Sequence, residues 1–91
     1  MKKHPRTVQE AVKRLVLELS DWNKLIIRNT SEEDLAMHHM PLGNYIRNEF
    51  GLWENNEELL KDCLPQCNKP LPDNASSIVI KSLWKVLQPS A

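Results

Sequence analysis

The apolar residues of this 91-residue chain recur at helical spacing. No segment long enough to form a half-buried β-strand alternates between apolar and polar residues. Thr7 and Glu10 form the Thr-x-x-Glu pattern of a capping box, which marks a helix start. The apolar residues that follow share one helical face: Val8, Ala11, Val12, Leu15, Val16 and Leu19. We therefore predict an amphipathic helix over residues 8–19.

Two short helices are predicted next. Ser20 or Asp21 can cap the second helix. Its apolar residues are Trp22, Leu25 and Ile26. Ser31 precedes three acidic residues, and the helix dipole favours carboxylates in a first turn. A third helix therefore follows Ser31 and is predicted to end at about His39.

A fourth and a fifth helix follow. Pro41 suits the first position of the fourth helix because its backbone is already bent for a helix and it needs no intrahelical donor. That helix is predicted to stop at Gly51, since glycine most readily takes the left-handed capping conformation. Asn55 or Asn56 caps the fifth helix, which ends before Pro65.

The last helix is predicted to begin with Asp73 as its cap. One stripe of this helix carries Ala75, Ile78, Val79, Ser82, Leu83 and Val86. Ile80, Trp84 and Leu87 lie outside that stripe and widen the apolar surface. Two interpretations remain open: the helix is central and covered on several sides, or these three residues form a docking stripe for a partner or a second copy.

These patterns predict an all-α fold, a compact single domain of about six helices, several of them short, with a long amphipathic first and last helix. A chain of 91 residues buries roughly 60 to 65% of its unfolded surface, enough for one core. We expect residues 1–6 to be a flexible basic tail, 66–72 a proline-containing loop and 88–91 a second tail.

Charge and hydropathy exclude several classes of function. Twelve basic residues balance twelve acidic ones, so no global field attracts nucleic acid, and no nucleic-acid partner is predicted. No apolar run exceeds three or four residues, which argues against a membrane span and a secretory signal. A cytoplasmic location without membrane binding is the expectation.

Two cysteines, Cys63 and Cys67, are too few for the disulfide framework of a small secreted domain. We predict two reduced thiols; a disulfide is a weaker alternative. A zinc site would also need His38 and His39, whose side chains diverge by about 100° on a helix. No metal and no cofactor are therefore predicted.

Residues 42–53 and 72–80 resemble a family of small bacterial domains of unknown function. That family pairs Gly-x-x-Ile-Arg-Asn-x-Phe-Gly-Leu-Trp with a downstream Pro-Asp-x-x-Ser before a closing apolar helix. The resemblance covers roughly residues 5–87, and Leu71 stands where the family often has a histidine. It implies a fold more than a function, because the family has no established activity.

The same two segments contain the candidate site residues: Asn44, Arg47, Asn48, Trp53, Asp73 and Ser76. Arg47 lies at the edge of an apolar helical face, so we expect its guanidinium to reach Asp73 on the last helix. The favoured interpretation is a polar clamp between two helices. The alternative is a pocket for a small ligand or anion near a helix amino terminus, although the charge of Asp73 opposes an anion.

No catalytic motif is present: there is no Gly-x-Ser-x-Gly, no His-Glu-x-x-His and no phosphate loop. No catalytic residue is therefore predicted, and an enzyme is not favoured. The sequence identifies no specific activity. It favours a small non-catalytic protein-interaction or regulatory module that acts through a protein partner or by self-association. A small-ligand or anion-binding domain at the Arg47, Asn48 and Asp73 joint is the alternative.

Overall fold

The computed structural model describes residues 4–54, 56–64 and 71–89. Within these ranges the regular elements are all helices, joined by short turns, and there is no strand. The α-helices are α1 (Val8–Glu18), α2 (Asp21–Asn29), α3 (Pro41–Glu49), α4 (Glu57–Asp62) and α5 (Pro72–Leu87). Two 3₁₀ helices, Glu32–His38 and Leu52–Glu54, precede and follow α3. The radius of gyration of 12.3 Å is that of a single domain of this length. The all-α prediction is confirmed.

α5 is the central helix and packs against each of the other six described elements. Its sequence explains this position, because its apolar side chains occupy more of the helix surface than one neighbouring helix can cover. The fully buried side chains that surround it come from most of the fold: Leu15, Ile46, Phe50, Leu52, Leu59 and Cys63.

Other parts of the same chain cover two members of the candidate docking stripe on α5, Ile80 and Trp84. Ile80 is buried, and Leu87 packs against the core. The indole Nε1 of Trp84 donates a hydrogen bond of 2.7 Å to the carbonyl oxygen of Thr30, at the end of α2. The alternative interpretation, a central helix covered on several sides, therefore describes α5.

Local capping signals place most helix ends. Thr7 Oγ1 accepts a hydrogen bond from the Glu10 amide, and Ser20 Oγ, rather than Asp21, caps α2. Gly51 follows α3 with a φ of 70°, in the left-handed region that glycine favours. Asn56 caps α4 through the amide of Leu59.

Asp73 does not cap α5, in contrast to the prediction. The helix begins one residue earlier, at Pro72, with Leu71 in the cap position and no side-chain capping bond. Proline is well suited to the first helical position because it has no amide hydrogen to leave unsatisfied. Pro72 is therefore part of the helix and not of the preceding loop, whose residues 66–70 lie outside the described residues.

The segment just before α1 contacts the rest of the protein. Pro5 is buried, and its carbonyl oxygen accepts a hydrogen bond of 2.8 Å from Asn56 Nδ2. The Val8 amide donates to Asp62 Oδ2 at 2.8 Å. Both bonds attach the start of α1 to α4 and its cap, and the bond to Asp62 satisfies the Val8 amide, which has no intrahelical partner.

The carboxyl end of α5 is also attached to the fold. The side-chain amide of Gln88 donates hydrogen bonds to the carbonyl oxygens of Arg28, at 3.1 Å, and Trp84, at 3.0 Å. Gln88 thus connects the end of α5 to the last turn of α2. Every helix in the described part of the chain falls short, in length or in apolar content, of what crossing a bilayer requires.

Candidate functional site

A buried arginine joins α3 to the start of α5. Only 3% of Arg47 is exposed. Its Nη1 donates to Ser76 Oγ at 2.9 Å, and its Nη2 donates to Asn44 Oδ1 at 2.6 Å and to the carbonyl oxygen of His39 at 3.5 Å. Ser76 Oγ in turn donates to the carbonyl oxygen of Asp73 at 3.0 Å. We name Asn44, Arg47, Asp73 and Ser76 the polar joint.

The charge partner of Arg47 lies at the protein surface. Asp73 Oδ1 is 3.5 Å from Arg47 Nη1 and 4.0 Å from His39 Nε2, and 65% of the Asp73 side chain is exposed. Water therefore screens the carboxylate, and its ion pair with Arg47 is weaker than a buried one would be. His39 Nδ1 also lies 3.3 Å from Ser77 Oγ. This contact adds a second link between the end of the 3₁₀ helix Glu32–His38 and α5.

The structure brings together four of the six predicted site residues. Asn48 and Trp53 are exposed and lie outside the polar joint. Asn48 is one residue beyond Arg47, so its side chain leaves α3 in a direction rotated by about 100°. His39 and Ser77 were missed, and no spacing in the sequence singles them out. Gly43 was also missed, although its position one helical turn before Arg47 is a signal.

Gly43 makes room for the guanidinium. A Cβ at this position would lie 2.8 Å from Arg47 Nη1. The guanidinium can withdraw only by giving up its bonds to Ser76 and Asn44. The buried arginine therefore needs a residue without a side chain at position 43.

We expect Gly43→Ala to lower the free energy of unfolding by about 1 to 2 kcal/mol, although alanine favours a helix over glycine by about 1 kcal/mol. Chemical denaturation followed by circular dichroism measures this change. In an Arg47→Ala background the same substitution should be neutral or stabilising, because the collision is gone. An equal loss in both backgrounds would show that contact with Arg47 is not its cause.

The polar joint leaves little room for a ligand. The terminal nitrogens of Arg47 already donate to protein oxygens, and its buried Nε has no hydrogen-bond partner among the described residues. A bound anion would have to displace Ser76 or Asn44 and approach past the carboxylate of Asp73. The bond from Arg47 Nη1 to Ser76 Oγ joins α3 to α5.

A different surface presents apolar side chains to solvent. Trp22, Leu25 and Ile26 are 68, 43 and 41% exposed. They stand at i, i+3 and i+4 on α2, so they are adjacent on one side of the helix. The opposite side of α2 contributes Ile27 to the core. We name Trp22, Leu25 and Ile26 the α2 face.

A groove of about 280 Å³ borders the α2 face. It is lined by Leu19, Asn23, Ile26, Ile27, His38, Pro41, Leu42 and Tyr45. Burial raises the pKa of Tyr45 to about 12, and the hydrogen bond of 2.8 Å from its hydroxyl to Glu18 Oε1 acts in the same direction. Tyr45 is therefore neutral near pH 7. Met37 and Met40, the chain neighbours of His38 and Pro41, are also exposed.

Comparison with known families places the chain. A family described as a domain of unknown function, DUF6794, matches residues 4–87, which include the polar joint and the α2 face. The chain belongs to this family. No curated protein and no solved structure matches it. The matched range of this DUF6794 domain ends at the last residue of α5, so it encloses all the helices described above.

Titratable groups of the DUF6794 domain are dispersed. His38 Nε2 lies 2.9 Å from Thr30 Oγ1, whereas His39 faces Ser77 and Asp73, so the adjacent histidines point to different elements. Cys63 is buried, and its Sγ lies 4.0 Å from the carbonyl oxygen of Ala75. Within residues 4–54, 56–64 and 71–89, no three side chains of His, Cys, Asp or Glu group as metal ligands. Cys67 lies outside the described residues.

Proposed function

We propose that the chain is a small non-catalytic module that binds a protein chain through the α2 face. The observation that carries the proposal is the exposure of three contiguous apolar residues, Trp22, Leu25 and Ile26, on one short helix. Isolated exposed apolar residues are normal at protein surfaces, but a contiguous patch that includes tryptophan is typical of an interface.

The shape of this surface supports the same function. A second groove, on the other side of the α2 face, is lined by Val16, Leu25 and Leu87 together with charged residues at its rim. The α2 face is therefore a ridge between two grooves. A partner helix or loop can cover the ridge and fill both grooves, which would bury the apolar surface with good complementarity.

The polar joint supports a ligand-binding function less well. Its arginine is 3% exposed and its terminal nitrogens already have protein partners, whereas the α2 face is open to solvent. We therefore propose that the polar joint stabilises the fold and that the α2 face binds the protein partner.

Site-specific photocrosslinking in cells tests the proposed function. A photoreactive phenylalanine derivative replaces Trp22 in one variant and Leu17, an exposed apolar residue of α1, in the control variant. We expect a covalent adduct with a protein chain at position 22 and none at position 17. Absence of an adduct at position 22, or equal yields at both positions, would contradict the role of the α2 face.

A further inference from the structure

The flank of α2 carries opposite charges at its two ends, and this feature specifies the partner of the proposed interaction surface. Asp21 lies in the first turn and Arg28 in the last turn of the helix. They are seven residues apart, or about two helical turns, so both lie on the same flank. Both line the groove that borders Leu25.

This charge pattern is self-complementary in one arrangement only. When two copies of a helix pack antiparallel about a two-fold axis, the same flank of each copy faces the other, and the first turn of one lies beside the last turn of its partner. Asp21 of each copy then lies beside Arg28 of the other. A parallel two-fold arrangement would place this flank of the two copies on opposite sides of the interface, so Asp21 of one copy would not lie beside Arg28 of the other.

We infer that the α2 face binds a second copy of this chain, forming an antiparallel two-fold dimer with Trp22 and Leu25 in its centre and reciprocal Asp21–Arg28 contacts at its ends. This inference rests on the proposed function and names its partner. The formal net charge of zero means that two copies have no long-range repulsion to overcome. The opposed dipoles of the two α2 helices also favour the antiparallel arrangement.

Both charges remain available to a second copy. Asp21 lies 3.4 Å from Lys24 Nζ in its own chain, but its side chain is fully exposed, so its carboxylate can also accept from an arginine. Lys24 is held nearer the protein, where its Nζ donates to the carbonyl oxygen of Val16 at 3.1 Å. Arg28 is exposed, and Gln88 contacts only its backbone oxygen in the bonds described above.

The interface is small, because α2 has nine residues and presents three apolar side chains. Interfaces of this size give weak association, and we expect a dissociation constant of about 10 to 100 µM. Sedimentation equilibrium of the full chain, from about 5 µM to about 1 mM, measures it. A chain that remains monomeric at about 1 mM would overturn the inference.

The first pair of variants tests the apolar contact. Trp22→Ser should raise the dissociation constant at least about 30-fold, as loss of a central tryptophan does at other interfaces. Leu17→Ser removes an exposed leucine from α1 and should leave the constant unchanged. Thermal unfolding of both variants verifies that they fold. Equal effects of the two substitutions on the dissociation constant would show that dimerisation does not use the α2 face.

The second pair of variants tests the antiparallel arrangement. Asp21→Arg and Arg28→Asp should each weaken self-association by about 3- to 10-fold, because each places like charges together twice. An equimolar mixture of the two variants should associate at least as tightly as the original chain, since every contact in the mixed dimer joins opposite charges. A mixture no tighter than either variant alone would overturn the arrangement.

The outcomes separate this inference from the proposed function. A chain that is monomeric in solution but crosslinks to another protein at position 22 retains the interaction surface and has a different partner. Crosslinks of the mass of two copies of this chain, formed from position 22 and not from position 17, support the dimer. A chain that is monomeric and gives no adduct contradicts both the dimer and the interaction surface.

Discussion

Arg47→Ala is expected to lower the free energy of unfolding by about 3 to 4 kcal/mol. The substitution removes a buried side chain, leaves a cavity between α3 and α5, and deprives Ser76 Oγ and Asn44 Oδ1 of their donor. Each of these losses is a known source of large destabilisation, and here they occur at one position. Urea denaturation monitored by circular dichroism measures the change.

Two companion variants separate the contributions to the effect of Arg47. Ser76→Ala removes the buried acceptor of Nη1, and its loss should be clearly non-additive with that of Arg47→Ala. Asp73→Asn removes a charge from a side chain that is 65% exposed and should cost less than about 1 kcal/mol. A larger loss from Asp73→Asn than from Ser76→Ala would contradict the view that the bond from Arg47 to the Ser76 hydroxyl contributes more stability than the ion pair with Asp73.

Trp84→Ala is expected to lower the free energy of unfolding by about 3 kcal/mol. The indole packs against the core and donates to the carbonyl oxygen of Thr30, so its removal leaves a void and an oxygen without its donor. Trp84→Phe keeps most of the apolar contact and should cost about 1 kcal/mol. Urea denaturation monitored by circular dichroism measures both changes.

Trp53→Ala is the matched control for the effect of Trp84. Trp53 is exposed on the 3₁₀ helix that follows α3, and its removal should change stability by less than about 1 kcal/mol. If Trp84→Ala destabilised the protein no more than Trp53→Ala does, the assignment of Trp84 to the interior would be wrong.

The polar joint and the α2 face have different roles. The polar joint connects α3 to α5 by the hydrogen bond from Arg47 to Ser76 and the ion pair between Arg47 and Asp73. α2 is fixed to the rest of the protein on the side opposite the α2 face. Ile27 packs in the core there, and Trp84 donates a hydrogen bond to the end of the helix. Trp84→Ala should therefore also weaken any association that uses the α2 face, because it removes the support of that helix.

Helix positions and most caps could be predicted from the sequence. The Thr7 cap of α1, the start of α3 at Pro41 and its end before Gly51 all appear in the structure. Each depends on backbone bonds and side-chain oxygens within about four residues, so a short window of sequence contains the necessary information. The pairing of segments 42–53 and 72–80 was also expected, and the structure places Arg47 next to Asp73.

Tertiary packing decided which apolar surface is covered. Residues Ile80, Trp84 and Leu87 on α5, and Trp22, Leu25 and Ile26 on α2, form similar helical patterns in the sequence, yet only the second set remains open to solvent. Packing likewise made Ser76 the buried partner of Arg47 and left the carboxylate of Asp73 at the surface. Periodicity specifies the side of a helix on which apolar residues lie, whereas the arrangement of all the helices determines which side is buried.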